Sequence, residues 1–261
     1  MGFITLTKEN IESEHICCAI SDKKCKDGYQ LKKQWLKDNI ENGYKFTKLD
    51  ERAKVFIEYC PSEIAYVPVN APNYMVINCF WVSGRYAGKG YGKELLSKCI
   101  EEAKAKGKDG IVTLCSDKKR PFMSDKKFFL KQGFLVVDKA KPYFELLCLK
   151  FNEESMDPKI LPKAKEATSY YDNGGFVAYY SDACPFMDYN VNIVQQEIAK
   201  DNNCIYEAVR LKTREEAINS PCCYTNYSLF YKGDFVTHEI NPKKFKAIIE
   251  NLQTHNKDSF E

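Results

Sequence analysis

The stretch "RYAGKGYGKELL" (residues 85–96) places glycine at 88, 90 and 92 and then runs straight into a helical pattern. A glycine inside a helix costs roughly 0.5–1 kcal/mol against alanine. Three of them at the mouth of one therefore mark a place where bare backbone matters more than helix propensity. Upstream, "YMVINCFWV" (74–82) is a continuous apolar run of strand length, as expected of a central strand buried on both faces. Downstream, Leu95, Leu96, Cys99, Ile100 and Ala103 recur at helical spacing, with Lys93, Glu94, Lys98 and Glu102 on the wet side and Gly107 just past the end. Strand, glycine loop and amphipathic helix, in that order, make an anion cradle. The first turn of a helix leaves N–H groups unpaired and carries about half a positive charge, and glycines let an anion reach them. The expected occupant is a pyrophosphate. The spacing is neither GxxxxGK[ST] nor GxGxxG, which argues against a P-loop and a Rossmann site. A glycine turn without a ligand is the plain alternative.

Working outward, "FITLT" reads as a first strand, and helical patterns cover 9–20 and 29–42. "YKFTKLDERAKVFIEYC" reads as a hairpin with a tight turn at Asp50–Glu51. "GIVTLCS", the short helix "DKKFFLKQG", "FLVVD" and "YFELLCLKF" follow the glycine helix. Residues 152–175 hold two prolines, many charges and no periodic apolar face, the composition of a linker. A second unit, 176–261, then begins: strand "FVAYY", a loop, helix 190–200, strand "CIYEAVRL", helix 213–219, the hairpin "YSLFYKGDFVTHEI" and a helix from Pro242 to Leu252.

The 261 residues allow one or two domains, and 44% hydrophobic with 29% charged residues is ordinary for a globular protein. A net charge of +3 from scattered lysines argues for neither nucleic acid nor an acidic surface as partner. No apolar run approaches the ~20 residues of a membrane span, and the N-terminus lacks the pattern of a signal peptide, so the expected location is the cytoplasm. Twelve cysteines in a chain without an export signal are expected free, several of them inside apolar strands. Three histidines and the lack of paired CxxC units argue against a metal site.

Residues 1–151 resemble the GNAT superfamily of acetyl-CoA-dependent N-acyltransferases. The resemblance rests on "VSGRYAGKGYGKELLSKCIEEAKAKG", on "FFLKQGF", and on the order of strands and helices. It implies an α/β (α+β) fold with a mixed, mostly antiparallel sheet flanked by helices, and acetyl-CoA as cosubstrate with no metal. It also implies that Val82 holds the pantetheine arm through its backbone and that the amides from Gly88 through Lys89, Gly90, Tyr91 and Gly92 to Lys93 hold the pyrophosphate, with Lys89 and Lys93 adding charge. Two departures stand out. Ala87, not arginine or glutamine, occupies the motif's first position, and Arg85 fits only two residues early. Phe129 stands where many members have the tyrosine that protonates the departing thiolate.

Acyl transfer to an amine needs a base for the amine, donors for the oxyanion and a tolerable leaving group. Glu58, Tyr59 and Glu145 are candidate bases, and Tyr143 and Cys115 candidate replacement acids; each has a surface or packing role as its alternative, and no catalytic side chain is assigned. The second unit resembles the YoaP-like domain, of thioredoxin-like fold, appended to some GNAT enzymes. Its Cys184-Pro185-Phe186-Met187 lacks the second cysteine of a redox motif, and Thr225–Asn226 stand where a cis-proline is usual. Cys184, at a helix start, is a candidate thiolate, with Cys222 and Cys223 as resolving partners. The leading expectation is direct acetyl transfer, in a ternary complex, to an amine-bearing small molecule or peptide, with a homodimer as candidate assembly. The alternatives are a non-catalytic acyl-CoA sensor and a thiol redox module working through Cys184.

Overall fold

The apolar run at 74–82 lies in the middle of the larger sheet. In a computed structural model describing residues 2–169 and 171–258, the first unit comprises β1 (Phe3–Thr5), α1 (Lys26–Ile40), β2 (Lys45–Leu49), β3 (Val55–Pro61), β4 (Val69–Asn70), β5 (Tyr74–Val82), α2 (Tyr91–Ala105), β6 (Gly110–Ser116), α3 (Lys126–Lys131), β7 (Leu135–Ala140) and β8 (Phe144–Lys150). The strands form a sheet in the order β1-β2-β3-β5-β6-β8-β7, antiparallel throughout except for β5 with β6. This is the mixed, mostly antiparallel sheet flanked by helices that the sequence implies.

β5 is apolar along its length because both of its faces are covered. Met75, Ile77 and Phe80 pack into one core beneath α2 and α3, while Tyr74, Val76 and Cys79 face a second core on the α1 side. Strict alternation would give 75, 77, 79. The parity changes because Glu58 pairs with Cys79 and Tyr59 with Ile77, so Asn78 is an extra residue on β5. Such a bulge re-aims every side chain beyond it.

Two local expectations are corrected. Residues 9–20 form turns rather than a helix. The Asn10 carboxamide accepts from the Thr7 amide at 2.8 Å, competing with helical bonding, and Cys17 and Ala19 take positive φ values of 62° and 55°. Ile11 and Ile16 are buried all the same. The β2–β3 connection is the five-residue loop 50–54, not a tight turn at Asp50–Glu51.

The stretch with linker composition is a packed strap. β9 (Lys159–Ile160) pairs with β4, and α4 (Pro162–Lys165) follows. Ile160, Ala164 and Ala167 are buried. Their spacing of four and three is helical, but two of the three are alanines in a charged stretch, a weak apolar signal. Beyond it come β10 (Phe176–Tyr180), α5 (Met187–Tyr189), a π-helical turn (Asn190–Gln195), α6 (Gln196–Asp201), β11 (Tyr206–Arg210), α7 (Arg214–Ile218), β12 (Tyr227–Tyr231), β13 (Asp234–Thr237) and α8 (Pro242–Asp258). The second sheet runs β11-β10-β12-β13, with β10 and β11 parallel. Its outer face has a core of its own around Phe176, Leu229 and Phe245. Its inner face joins the first unit's core: Tyr179, Leu211, Cys223, Tyr224 and Phe230 share a cluster with Trp35, Phe46 and Phe144.

Candidate active site

β5 and β6 pair only from Tyr74–Gly110 to Ile77–Thr113. Past that point they diverge, and the β6-facing edge of β5 has no strand partner. Two cavities open at the divergence. The larger, of about 790 Å³, has Val82, Gly88, Gly90, Tyr91, Gly92 and Lys93 along one wall. Lys119, Arg120, Met123 and Phe128 stand across from them. All the residues implied as cofactor-binding therefore line one groove except Lys89, which is exposed and does not line it.

The glycines divide the work. Gly88 and Gly90 have φ of +76° and +89°, a region closed to most side chains. Gly90 is the N-cap of α2, and no side chain caps that helix. Among the described residues, no backbone hydrogen bond uses the amides of Gly88, Lys89, Gly90 or Gly92. Gly92 serves packing: a Cβ there would lie 3.2 Å from the Phe128 ring, which stacks on Phe80 with centroids 5.0 Å apart. The loop is held from behind, where Arg85 donates to the Tyr86 hydroxyl at 2.7 Å and Tyr86 bonds Glu51. Arg85 thus holds the loop and does not line the groove. Lys119 and Arg120 were missed as groove residues; the run "DKKRP" immediately after β6 was the available signal.

The second cavity, of about 60 Å³, lies beside the first and shares Phe80, Trp81 and Met123 with it. Trp35, Tyr44, Tyr66 and Asn78 come from the first unit, and Ala183, Cys223, Tyr224, Thr225 and Asn226 from the second. Polar tethers hold the second unit in place. Lys32 Nζ donates to the Ala183 carbonyl at 2.5 Å, Tyr224 Oη to the Phe122 carbonyl at 2.8 Å, and Thr225 Oγ1 to the Tyr66 carbonyl at 2.6 Å.

The candidate acids and bases are nearly all engaged elsewhere. Glu58 is buried, with Lys32 Nζ 2.8 and 2.7 Å from its two carboxylate oxygens and Tyr44 Oη donating to it at 2.8 Å. Burial pushes the Lys32 amine down, but the charge and hydrogen bond of Glu58, with Cys79 and Cys18 nearby, together outweigh this and its pKa is raised. Tyr59 points into the opposite core and donates to Glu102 at 2.7 Å. Glu145 pairs with Lys126 and, at 3.4 Å, with Lys139. Tyr143 is bonded to His238 Nδ1 at 2.6 Å beneath the Arg120 guanidinium. Cys115 is buried, which pushes its thiol up to about 12. None of Glu58, Tyr59, Glu145, Tyr143 and Cys115 lines either cavity. Phe129 is core, fully buried against Phe80 and Phe134.

The expectation of a thiolate at Cys184 is corrected. Burial pushes its thiol up to about 11, against a weaker opposing effect from the Phe186 amide. Its electrostatic neighbours are Lys32 and Glu58, not Cys222 or Cys223. Among the described residues, no group of three or more His, Cys, Asp or Glu is placed to hold a metal ion, and no helix is long and apolar enough to cross a membrane.

A family model described as "Acetyltransferase (GNAT) family" matches residues 10–134, and one described as "YoaP-like" matches residues 206–246. The N-acetyltransferase YoaP of Bacillus subtilis (strain 168) is 44% identical over 253 residues, spanning 97% of this chain and 100% of the relative. The chain belongs to the GNAT acetyltransferase family. Among solved structures, the PaiA N-acetyltransferase of Thermoplasma acidophilum, in complex with coenzyme A, shares 18% identity over 58% of this chain and 100% of that one, with a TM-score of 0.40. The ribosomal-protein-alanine N-acetyltransferase of Brucella melitensis shares 14% over 58% and 100%, with a TM-score of 0.42. In this GNAT enzyme the YoaP-like part is not a separate appendage, since its residues 223–226 form a wall of the smaller cavity.

Proposed function

We propose that the larger groove holds acetyl-CoA and that its acetyl group passes directly to an amine in the adjoining cavity, in a ternary complex. The observation that carries this reading is the uncapped N-terminus of α2, with left-handed Gly88 and Gly90 beside Lys93, opening into a groove that adjoins a second cavity. The groove fits the group. Added Cβ atoms at Gly88 would meet nothing within 4 Å, so the space in front of the amides is open to a pyrophosphate. Lys93, Lys119 and Arg120 supply positive charge, and Val82, Phe80 and Phe128 an apolar path for the pantetheine arm.

Direct transfer is supported by the state of the thiols. Of the cysteines beside the cavities, Cys79 and Cys223 are both pushed well above the ordinary range by burial, which disfavours the thiolate a covalent acyl-enzyme needs. The leaving thiolate does not require the tyrosine that Phe129 replaces, because a thiol of pKa ~8.5 departs near neutral pH with little help. The division into an acetyltransferase unit over 1–151, a strap over 152–175 and a YoaP-like unit over 176–261 belongs to this proposal, and the strand order β11-β10-β12-β13 supports its thioredoxin-like description. The test is titration calorimetry of the full chain with acetyl-CoA, followed by coenzyme A release with amines. Binding that is weakened by Gly90→Ala, with thiol release on adding an amine, is expected. Failure to bind acetyl-CoA overturns the proposal.

A further inference from the structure

The small cavity has an unusual lining for an amine site. Among the described residues that line it there is no Asp, Glu, Lys, Arg or His. The Glu58 carboxylate, which accepts from the Tyr44 hydroxyl, is already paired with Lys32. Aromatic side chains form part of the wall: Trp35, Tyr44, Tyr66, Phe80, Trp81, Phe122 and Tyr224. Trp35 packs edge-on against Tyr44 and Tyr66, with centroids at 4.9 and 5.2 Å. It is only 8% exposed, and among the described residues its buried indole Nε1 has no hydrogen-bond partner. That nitrogen is enclosed and is not offered to the cavity.

Resting on the acetyl-transfer reading, we infer that this cavity takes a short primary amine bearing no second charge. Size sets the length. A 150 Å³ apolar cavity holds benzene, so about 60 Å³ admits a chain of about three or four heavy atoms. Charge sets the class. A second ammonium, as in polyamines and aminoglycosides, or the carboxylate of an amino acid would be buried with no counter-ion, at a cost of several kcal/mol. The same environment removes the need for a dedicated base. An uncharged wall disfavours the ammonium, so the amine enters as the free base after giving its proton to solvent, and its lone pair is then ready for the thioester carbon. The nitrogen–carbonyl bond forms as the carbon–sulfur bond breaks, the pair leaves on sulfur, and the proton on the product nitrogen goes to water.

The test uses the full chain and begins with acetyl-CoA binding, whose failure would overturn the cosubstrate reading itself. Coenzyme A release is then followed with propylamine and ethanolamine against glycine, putrescine, spermidine and kanamycin. The neutral-bodied pair is expected to exceed the others in kcat/KM by about 100-fold or more. Any of the four charged amines matching the pair, or no turnover of the pair by a chain that binds acetyl-CoA, overturns the inference and leaves the cosubstrate reading standing.

Discussion

The Thr225 hydroxyl donates to the Tyr66 carbonyl at 2.6 Å, joining residues 159 positions apart across the wall of the smaller cavity. Thr225 comes from the loop before β12, and Tyr66 from the segment between β3 and β4. The bond ties the YoaP-like unit to the acetyltransferase unit at the place where an acceptor would enter. Thr225→Val keeps the shape and removes the donor. A loss of about 1–3 kcal/mol is expected from the carbonyl left unpaired, read by urea unfolding, together with a raised KM for the amine and an unchanged Kd for acetyl-CoA. An unchanged amine KM would show that this wall does not contact the acceptor.

Lys32 and Glu58 form a buried pair, each side chain 3% exposed. Lys32→Met strands the carboxylate and is expected to cost about 3–5 kcal/mol, whereas Lys32→Met with Glu58→Leu should recover most of that loss. Thermal unfolding of both variants checks it; a double variant no better than the single one would refute the account. The pKa of Lys32 is raised in the folded chain. The Lys32 contribution is thus complete below the unfolded lysine value and is lost as pH rises through the folded one, so on the alkaline side the pair weakens in strong alkali.

His238 titrates at the other end of the range. Burial lowers it from 6.5 to about 4. Its Nε2 faces the Pro121 carbonyl at 3.0 Å, so it donates there and Nδ1 accepts from Tyr143. Protonating Nδ1 would oblige the Tyr143 hydroxyl to turn and accept, and would bury a charge near the Arg120 guanidinium. The unfolded chain binds this proton more readily, so stability is full above about pH 6.5 and falls by about 3 kcal/mol as pH drops toward 4. His238→Gln should flatten that slope in acid unfolding; an unaltered slope would assign it to other groups.

Two glycines separate packing from conformation. Gly28 lies within α1, where alanine is normally better by about 1 kcal/mol. A Cβ there would stand 2.3 Å from the Pro185 carbonyl oxygen, backbone that cannot yield cheaply. Gly28→Ala is therefore expected to destabilise by about 1–3 kcal/mol despite its helix propensity. Gly90→Ala meets only Glu94, at 3.9 Å, but carries a φ of +89°. It is expected to cost about 1–2 kcal/mol and to weaken acetyl-CoA binding. Calorimetry and thermal melts distinguish the two, since Gly28→Ala should leave cosubstrate affinity intact.

What was legible was local. The glycine loop, the apolar strand before it and the amphipathic helix after it form one continuous stretch, so their joint wall of the groove could be inferred from residues 82–93 alone. The opposite wall, with Arg120 and Phe128, comes from the segment after the next strand, and pattern gives no warning that it folds back. Glu58 read as a free base because its partners, Lys32 and Tyr44, are 26 and 14 residues away. The helix expected over 9–20 failed for the converse reason: apolar spacing was present, but Thr7 and Asn10 offered the backbone a competing set of bonds.

By itself, the sequence determined the longer strands, the glycine loop before α2 and the membership of the family, since each depends on neighbours a few residues apart. Only the tertiary structure decided the smaller cavity. Its wall joins Trp35, Asn78 and Tyr224 from three separate parts of the chain. Whether a buried side chain is charged, paired or unsatisfied depends on what is packed against it, and the bulge at Asn78, which turns β5 toward that cavity, exists only in the pairing with β3.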